Sequence, residues 1–240
     1  SRKSFKRFVM NWTVPRIWEG GDVWIIGGGP SITKEFSIPN EVVNQVVIGK
    51  QPLSLYSPYM ESIHKKHIIG INVAFMLGPW VDMVFFGDNN FFVRNKEALY
   101  KFSGLKLSCA PSTDKFPWVK YLSRNPTHPA GISPTPQTVS WNKNSGGCAI
   151  SVAAHTGVKR IFLLGFDMCL DTANSQHFHS VYNTNGQPKN VRNLPFRRHL
   201  QGFPAIANDA KKLGIQIINV NPNSAINEFP KMTLKEALKV

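Results

Sequence analysis

Acidic residues are scarce in this 240-residue chain: 14 Asp and Glu stand against 28 Lys and Arg, a formal net charge of +14 at pH 7. That balance excludes an acidic, self-solvating protein. It points to polyanionic partners: nucleic acid, anionic headgroups or a phosphorylated substrate. The positive charges are scattered rather than gathered in one motif. Cysteine is equally sparse. Cys109, Cys148 and Cys169 are an odd number at no metal-ligand spacing. They argue against a disulfide framework and predict reduced, mostly buried thiols in a cytoplasmic protein. No apolar run approaches the roughly 20 residues of a membrane span. The basic start, Ser1 to Arg7, is followed by no apolar stretch, so no signal peptide is expected. No internal repeat and no Ser/Gly linker divides the chain. The expected organisation is a basic arm over residues 1–21 and one domain over 22–240.

What is present is an alternation of apolar runs and turn residues. Residues 22–26 run straight into Gly27, Gly28, Gly29, Pro30 and Ser31. This predicts a buried strand, a tight turn and a helix start. Glycine lets backbone approach a ligand closely. Pro30 suits a first helical turn, where its missing N–H has no partner to lose. Exposed amides at a helix start attract phosphate. The stretch lacks the G-x-G-x-x-G spacing of a dinucleotide site, because Ile32 follows Ser31 with no third glycine.

Further apolar runs predict strands at 68–72, 83–88, 105–109, 160–167 and 215–220. Helical patterns cover 89–100, 145–156, 197–213 and 233–238, with a shorter piece at 59–67, and residues 118–122 read as a short amphipathic segment. Asn89 and Asn90 are expected to cap one helix and Ser145 another, with Gly157 as a stop. Residues 37–56, rich in valine and followed by Pro58, read as a β excursion or flap. Residues 123–142, rich in Pro, Thr and Ser, read as a loop or hairpin over one face. Residues 168–195 form a long polar loop carrying Asn174, His177, His179, Tyr182, Asn183, Lys189 and Arg192. Loops of that length inside a domain are functional or disordered.

The alternation predicts an α/β fold, a mostly parallel Rossmann-like sheet with helices on both faces. Ligands in such folds bind outside the carboxyl ends of the strands. That rule gathers Gly27 to Ser31, Asn72, Asp88, Asn144, Ser145, Gly146, Asp167 and residues 221–224 on one rim. His177 or His179 could act as a base there, and Arg192, Arg197 or Arg198 could neutralise phosphate. Asp88 and Asp167 could hold Mg²⁺ on a pyrophosphate, or they could cap a helix and fix a loop. The two histidines could equally be solvated. A His-x-His zinc site has no supporting carboxylate or cysteine cluster. His155, mid-helix, reads as structural. Phe5, Trp12 and Trp18, among the arm's basic residues, could stack on a nucleic-acid acceptor.

In order, the chain shows Ile-Ile-Gly-Gly-Gly-Pro-Ser, Gly-Ile-Asn, Phe-Phe-Gly-Asp, Asn-Ser-Gly-Gly before a small-residue helix, Leu-Leu-Gly-Phe-Asp, a His-containing loop and Asn-Pro-Asn-Ser. That order resembles the sialyltransferases of glycosyltransferase family 42 and their relatives. Those include motility accessory factors, archaeal pterin pyrophosphokinase-like proteins and small phage or prophage proteins. The phage-type proteins look most similar, through the Trp-x-Gly-Gly approach to the first strand and the ending from Phe229 to Leu238.

The resemblance covers residues 18–240 and implies a nucleotide-sugar fold and a metal-independent transfer with no cofactor. It gives nucleotide binding to Gly27, Gly28, Gly29, Pro30, Ser31, Asn144, Ser145 and Gly146. It gives a donor contact to Asn72, and base or ribose contacts to Pro222, Asn223 and Ser224. The general base falls to His177 or His179. The chain departs from the sialyltransferase pattern at Gly28, where those enzymes carry Asn, and at Gly87-Asp88, where they end the strand in Asn. The tyrosines that assist departure of the phosphate have no secure counterpart beyond Tyr182. The departures leave the donor open and argue against sialic acid itself. The expected activity is nucleotide-sugar glycosyl transfer, onto DNA or a surface glycan. A Mg²⁺-dependent pyrophosphokinase-like reaction and a non-catalytic nucleotide- or nucleic-acid-binding role are the alternatives.

Overall fold

Apolar residues occupy nearly every position of the central strands, and this fixes where those strands can sit. In β1 (Asp22–Ile26), Val23, Trp24, Ile25 and Ile26 are all buried. A strand apolar on both sides must be covered on both faces, as in a parallel sheet between helical layers. The computed structural model describes residues 12–171, 175–180 and 195–240.

β1 pairs in parallel with β2 (Ile68–Ile71), which pairs with β3 (Met83–Phe86), then β4 (Leu105–Ser108) and β5 (Lys120–Tyr121). β6 (Ser123–Arg124) and β7 (Thr138–Val139) form a separate two-stranded parallel pair. The chain then returns to the other side of β1 with β8 (Arg160–Leu164) and β9 (Gln216–Asn219). The main sheet therefore runs β5-β4-β3-β2-β1-β8-β9. Strand order reverses between β1 and β8, and that switch point is where open α/β sheets bind ligands.

Side chains alternate across the sheet. Val23, Ile25, Ile69, Phe85, Ile161 and Leu163 enter one core, and Trp24, Ile26, Ile68, Phe86, Phe162 and Leu164 the other. The first core is closed by α4 (Ser145–His155) and α6 (Phe203–Leu213). The second is closed by α1 (Ser31–Glu35), α2 (Asn40–Val47), α3 (Asn89–Lys101) and α7 (Leu234–Ala237). α5 (Phe196–Leu200) precedes α6. At the opposite edge from the rim, Arg160 donates to both Asp22 oxygens, at 2.7 and 2.6 Å, clamping β1 to β8.

The α/β reading of the sequence holds, and several local expectations are corrected. Residues 37–56 form no β excursion: Pro39 precedes α2, and a 3₁₀ helix spans Leu53–Ile63. Val42, Val43 and Val46 fall on one helical side and face the second core. Residues 123–142 form no hairpin, because β6 and β7 run parallel. Residues 118–122 supply the edge strand β5. The helix expected at 197–213 is two helices broken at Gln201-Gly202, and Gly202 packs so closely on Asn142 that a Cβ there would lie 2.7 Å from its side chain. Asp88, not Asn89 or Asn90, caps α3, and Asn144, not Ser145, caps α4. Gly157 closes α4 at φ +90°, as the sequence predicts.

Residues 12–21 lie against the domain: Val14 and Trp18 are buried, and Trp18 stacks on His67 at 4.7 Å. Cys109 and Cys148 are buried free thiols, and Cys169 is half-buried. His155 is structural, its Nε2 lying 2.8 Å from the Ser133 carbonyl. Among the described residues no helix is long and apolar enough to cross a membrane.

Candidate functional site

At the switch point the backbone turns sharply twice. After β1 come Gly27, Gly28 and Gly29; after β8 comes Gly165, at φ +67°. The two turns bind each other, Gly29 N donating to Gly165 O at 2.8 Å. A side chain has no room between them: a Cβ on Gly27 would lie 2.8 Å from the Gly165 carbonyl, and one on Gly29 2.5 Å from the Asp167 carboxyl carbon. The glycine run is thus demanded first by contact between two strand ends.

Asp167 is the buried centre of this junction. It accepts the Ser31 amide at 2.8 Å, the Ser31 hydroxyl, and the Asn221 side-chain amide at 2.9 Å. Burial pushes its carboxyl above the usual range, opposed by the Ser31 and Asn221 bonds. The anion that the first helix start attracts is therefore supplied by the protein itself. Ser224 serves the same frame. Its hydroxyl donates to Phe166 O at 2.7 Å and accepts from Asn219 at 2.9 Å. Asn223 N donates to Asn221 Oδ1 at 2.9 Å.

Beside this junction lies a cavity of about 660 Å³. Of the predicted residues it takes in Gly27, Gly28, Gly29, Asn72, Asp88, Asn144, Ser145, Gly146, Asp167, His177, His179 and Arg198. Its wall does not include Pro30, Ser31, Asn223, Ser224 or the exposed Arg197. Arg192 lies outside the described residues, as do Phe5, Asn174, Tyr182, Asn183 and Lys189.

The second helix start opens into this cavity. Asn144 caps α4 by accepting from Gly147 N at 2.6 Å, while its own amide donates to Asn142 O at 3.0 Å and His199 O at 3.1 Å. Among the described residues nothing accepts from the amides of Ser145 and Gly146. Orphan amides at the head of an 11-residue helix favour an anion. A Cβ on Gly146 would lie 2.6 Å from the Phe166 ring, so small size at this position holds the helix against the sheet turn.

Opposite stands the polar loop. His177 and His179 stack at 5.1 Å between ring centroids, nearly parallel. His177 Nδ1 lies 3.3 Å from Gly28 O, and Phe178 N donates to the same carbonyl at 3.2 Å. A Cβ on Gly28 would come within 3.1 Å of that Nδ1. Gly28, where the chain departs from the sialyltransferase pattern, is thus the position against which His177 is seated. Asn72 sits at the end of β2 with φ +52°, and its buried Oδ1 has no hydrogen-bond partner among the described residues.

Asp88 points its carboxylate at the start of α3, accepting from Asn90 N at 2.6 Å and Phe91 N at 3.2 Å. Both aspartates offered for a metal pair are thus already engaged by protein donors. Among the described residues no group of three His, Cys, Asp or Glu side chains has metal-holding geometry.

Sequence reasoning missed Arg94, Trp141, Lys143 and His199, all in the cavity wall. His199 is held neutral: burial, then the adjacent Arg198 charge, lower its pKa to about 4. The Arg-Arg-His run at 197–199 is the available signal: its two arginines read as phosphate partners, which leaves the histidine beside them passed over. Trp141 carries the Arg124 guanidinium at 3.5 Å, and Arg124 donates to Gly87 O at 2.9 Å.

No protein-family model and no curated protein matches the sequence. Solved structures do match. The MAf glycosyltransferase from Magnetospirillum magneticum AMB-1 is similar at TM-score 0.57 and 13% identity, over 92% of this chain and 35% of that one. A substituted sialyltransferase CST-II in complex with CMP is similar at TM-score 0.50 and 16% identity, over 88% of this chain and 86% of that one. The Campylobacter jejuni CstII in complex with cytidine-5'-monophosphate gives 0.49 and 16%, over 88% and 84%. At these identities the likeness is one of fold: a parallel α/β sheet of the kind those transferases use.

Proposed function

We propose that the chain is a nucleotide-sugar-dependent glycosyltransferase of the sialyltransferase-like group. The observation that carries this reading is the open start of α4, where Ser145 and Gly146 line a cavity at the strand switch point and their amides have no acceptor among the described residues. It is supported by the shared fold of a sialyltransferase crystallised with CMP. In this reading the donor phosphate lies at Ser145 and Gly146, with Arg198 adding charge. Asn72 offers its unpartnered Oδ1 to a donor hydroxyl.

Transfer requires a base for the acceptor hydroxyl. His177 or His179 takes that proton as the acceptor oxygen bonds to the sugar carbon. The bond from that carbon to the phosphate oxygen breaks, and the nucleotide leaves with its electron pair. Its new negative charge falls on the α4 amides and Arg198, so no step needs a metal. Asp88 and Asp167 hold the scaffold rather than react.

Thermal unfolding with CMP, UMP, GMP and ATP, each with EDTA and with Mg²⁺, tests the proposal. The expected result is stabilisation by one nucleoside monophosphate in EDTA, abolished by Ser145→Pro, which removes an amide while keeping a residue suited to N1. Stabilisation by ATP alone, and only with Mg²⁺, would replace this reading with phosphotransfer.

A further inference from the structure

α3 presents two working sides. Asn90, Phe91, Arg94 and Asn95 wall the cavity. Around the helix, Val93, Lys96, Glu97 and Tyr100 meet Phe116 and Trp118 across a second groove of about 590 Å³. Arg94 belongs to both walls, so the groove continues from the cavity. Val93 is 72% and Tyr100 65% exposed, an apolar patch on an otherwise charged helix face. Tyr100 stands edge-on to Trp118 at 5.5 Å, which in turn packs on Phe116 at 5.9 Å. Lys96 lies 4.4 Å and Lys115 5.6 Å from the Phe116 ring centre. The carboxylate of Glu97 is engaged by Lys101 at 2.6 Å. What remains is an aromatic platform edged by Arg94, Lys96 and Lys115.

We infer that this groove binds an acidic oligosaccharide, the outer part of an acceptor chain whose end reaches the cavity. The link to an acceptor rests on the proposed transferase activity; the groove's affinity does not. A pyranose ring lays its C–H face on one exposed aromatic ring, and Tyr100 offers such a ring. The three cations match carboxylates or phosphates carried on that chain. A single-stranded nucleic acid fits less well. It needs a succession of ring faces along the strand, and here Phe116 is covered by Lys96 while Tyr100 and Trp118 meet edge to face. Two residues of opposite chemistry, Tyr100 and Lys96, flank the same space, so loss of either is expected to weaken one ligand.

Calorimetric titration of the full chain with oligogalacturonate, its neutral methyl ester and oligo-dT tests this. Oligogalacturonate is expected to bind, the ester and oligo-dT much more weakly. The exposed substitutions Tyr100→Ala and Lys96→Glu should each weaken it about tenfold and leave nucleotide-dependent stabilisation unchanged. Absence of oligogalacturonate binding, or binding by both variants with the affinity of the unsubstituted chain, overturns the inference. Preferential binding of oligo-dT lost in both variants overturns it in favour of nucleic acid. A protein that binds the saccharide through Tyr100 and Lys96 but no nucleotide retains the groove and loses the transferase reading.

Discussion

The start of α1 lies outside the cavity wall and the start of α4 lines it, although each follows a tight turn and each has a serine as first helical residue. At α1 the Ser31 amide and hydroxyl are taken by Asp167, which reaches across from the turn after β8. At α4 the capping side chain of Asn144 stops at Gly147, and Ser145 and Gly146, whose amides have no acceptor among the described residues, line the cavity. One start carries its own anion; the other has amides with no acceptor among the described residues. Similar sequence signals at two helix starts thus divide between holding the sheet together and, in the proposed function, holding a ligand. The division is made by a single buried carboxylate.

Removing that carboxylate is the most forceful way to break the comparison. Asp167→Ala leaves the Ser31 and Asn221 donors unanswered in a buried junction. Stability should fall by about 3 kcal/mol, read as a lower midpoint in urea unfolding with an unchanged slope. If Asp167 instead contacts the nucleotide, the substitution will cost little stability and abolish nucleotide-dependent stabilisation.

Asn144→Ala tests the other start. It removes the cap of α4 and the bonds to Asn142 O and His199 O. The expected loss is about 1–2 kcal/mol of stability, with nucleotide affinity about tenfold weaker because the free amides lose their fixed direction. Urea unfolding measures the stability loss and titration calorimetry with the nucleotide that stabilises the protein measures the affinity, each against Asp167→Ala, which should spare affinity in whatever fraction stays folded.

The contrast between the two starts was only half legible in the sequence. The strands were plain, because Val23 to Ile26 and Ile161 to Leu164 are apolar at every position and tolerate no other place in the fold. The α4 start was plain too, since Asn144 precedes Ser-Gly-Gly and a run of small residues that packs a helix tightly on a sheet. Asp167 was visible only as a polar residue after an apolar strand. Its real partner, Ser31, lies 136 residues away, and no local pattern encodes that distance. α2 was hidden because β-branched valines suggest strand, although Pro39 and the spacing of Val42, Val43 and Val46 carry the helical signal. Arg94 and His199 escaped because a cavity wall on a charged helix face looks like solvated surface until the neighbouring elements are placed.

His199 sharpens the comparison by pH. It contacts the α4 start through its carbonyl, and its ring is held neutral with a pKa near 4 against an ordinary 6.5. A depressed folded pKa means the unfolded chain binds the proton first. The contribution of His199 is complete above about pH 6.5 and is lost progressively as pH falls from there through about 4. Solvent contact at the ring reduces the size of the effect below that of Asn144→Ala. His199→Gln, which cannot titrate, should flatten the stability-pH curve between those values. It should leave the Asp167-dependent part in place, which has the opposite sign: burial raises that carboxyl's pKa, so its protonation relieves the burial cost as pH falls.

The smallest expected effect lies at Gly28, between the two starts. A methyl group there would sit 3.1 Å from His177 Nδ1 and 3.9 Å from His179 Nε2. His177 belongs to a loop, so it can yield by the few tenths of an ångström that the contact requires. Gly28→Ala should therefore cost under about 1 kcal/mol of stability, at the low end of overpacking effects. If the histidines supply the base, moving them should still slow transfer, because a misplaced proton acceptor costs rate without costing fold. Nucleotide affinity, set at α4, should not change. A variant with normal nucleotide binding, near-normal stability and reduced turnover places the chemistry at the His177 side of the crevice. Equal losses of binding and turnover would instead join Gly28 to the nucleotide site, as the sequence pattern alone suggests.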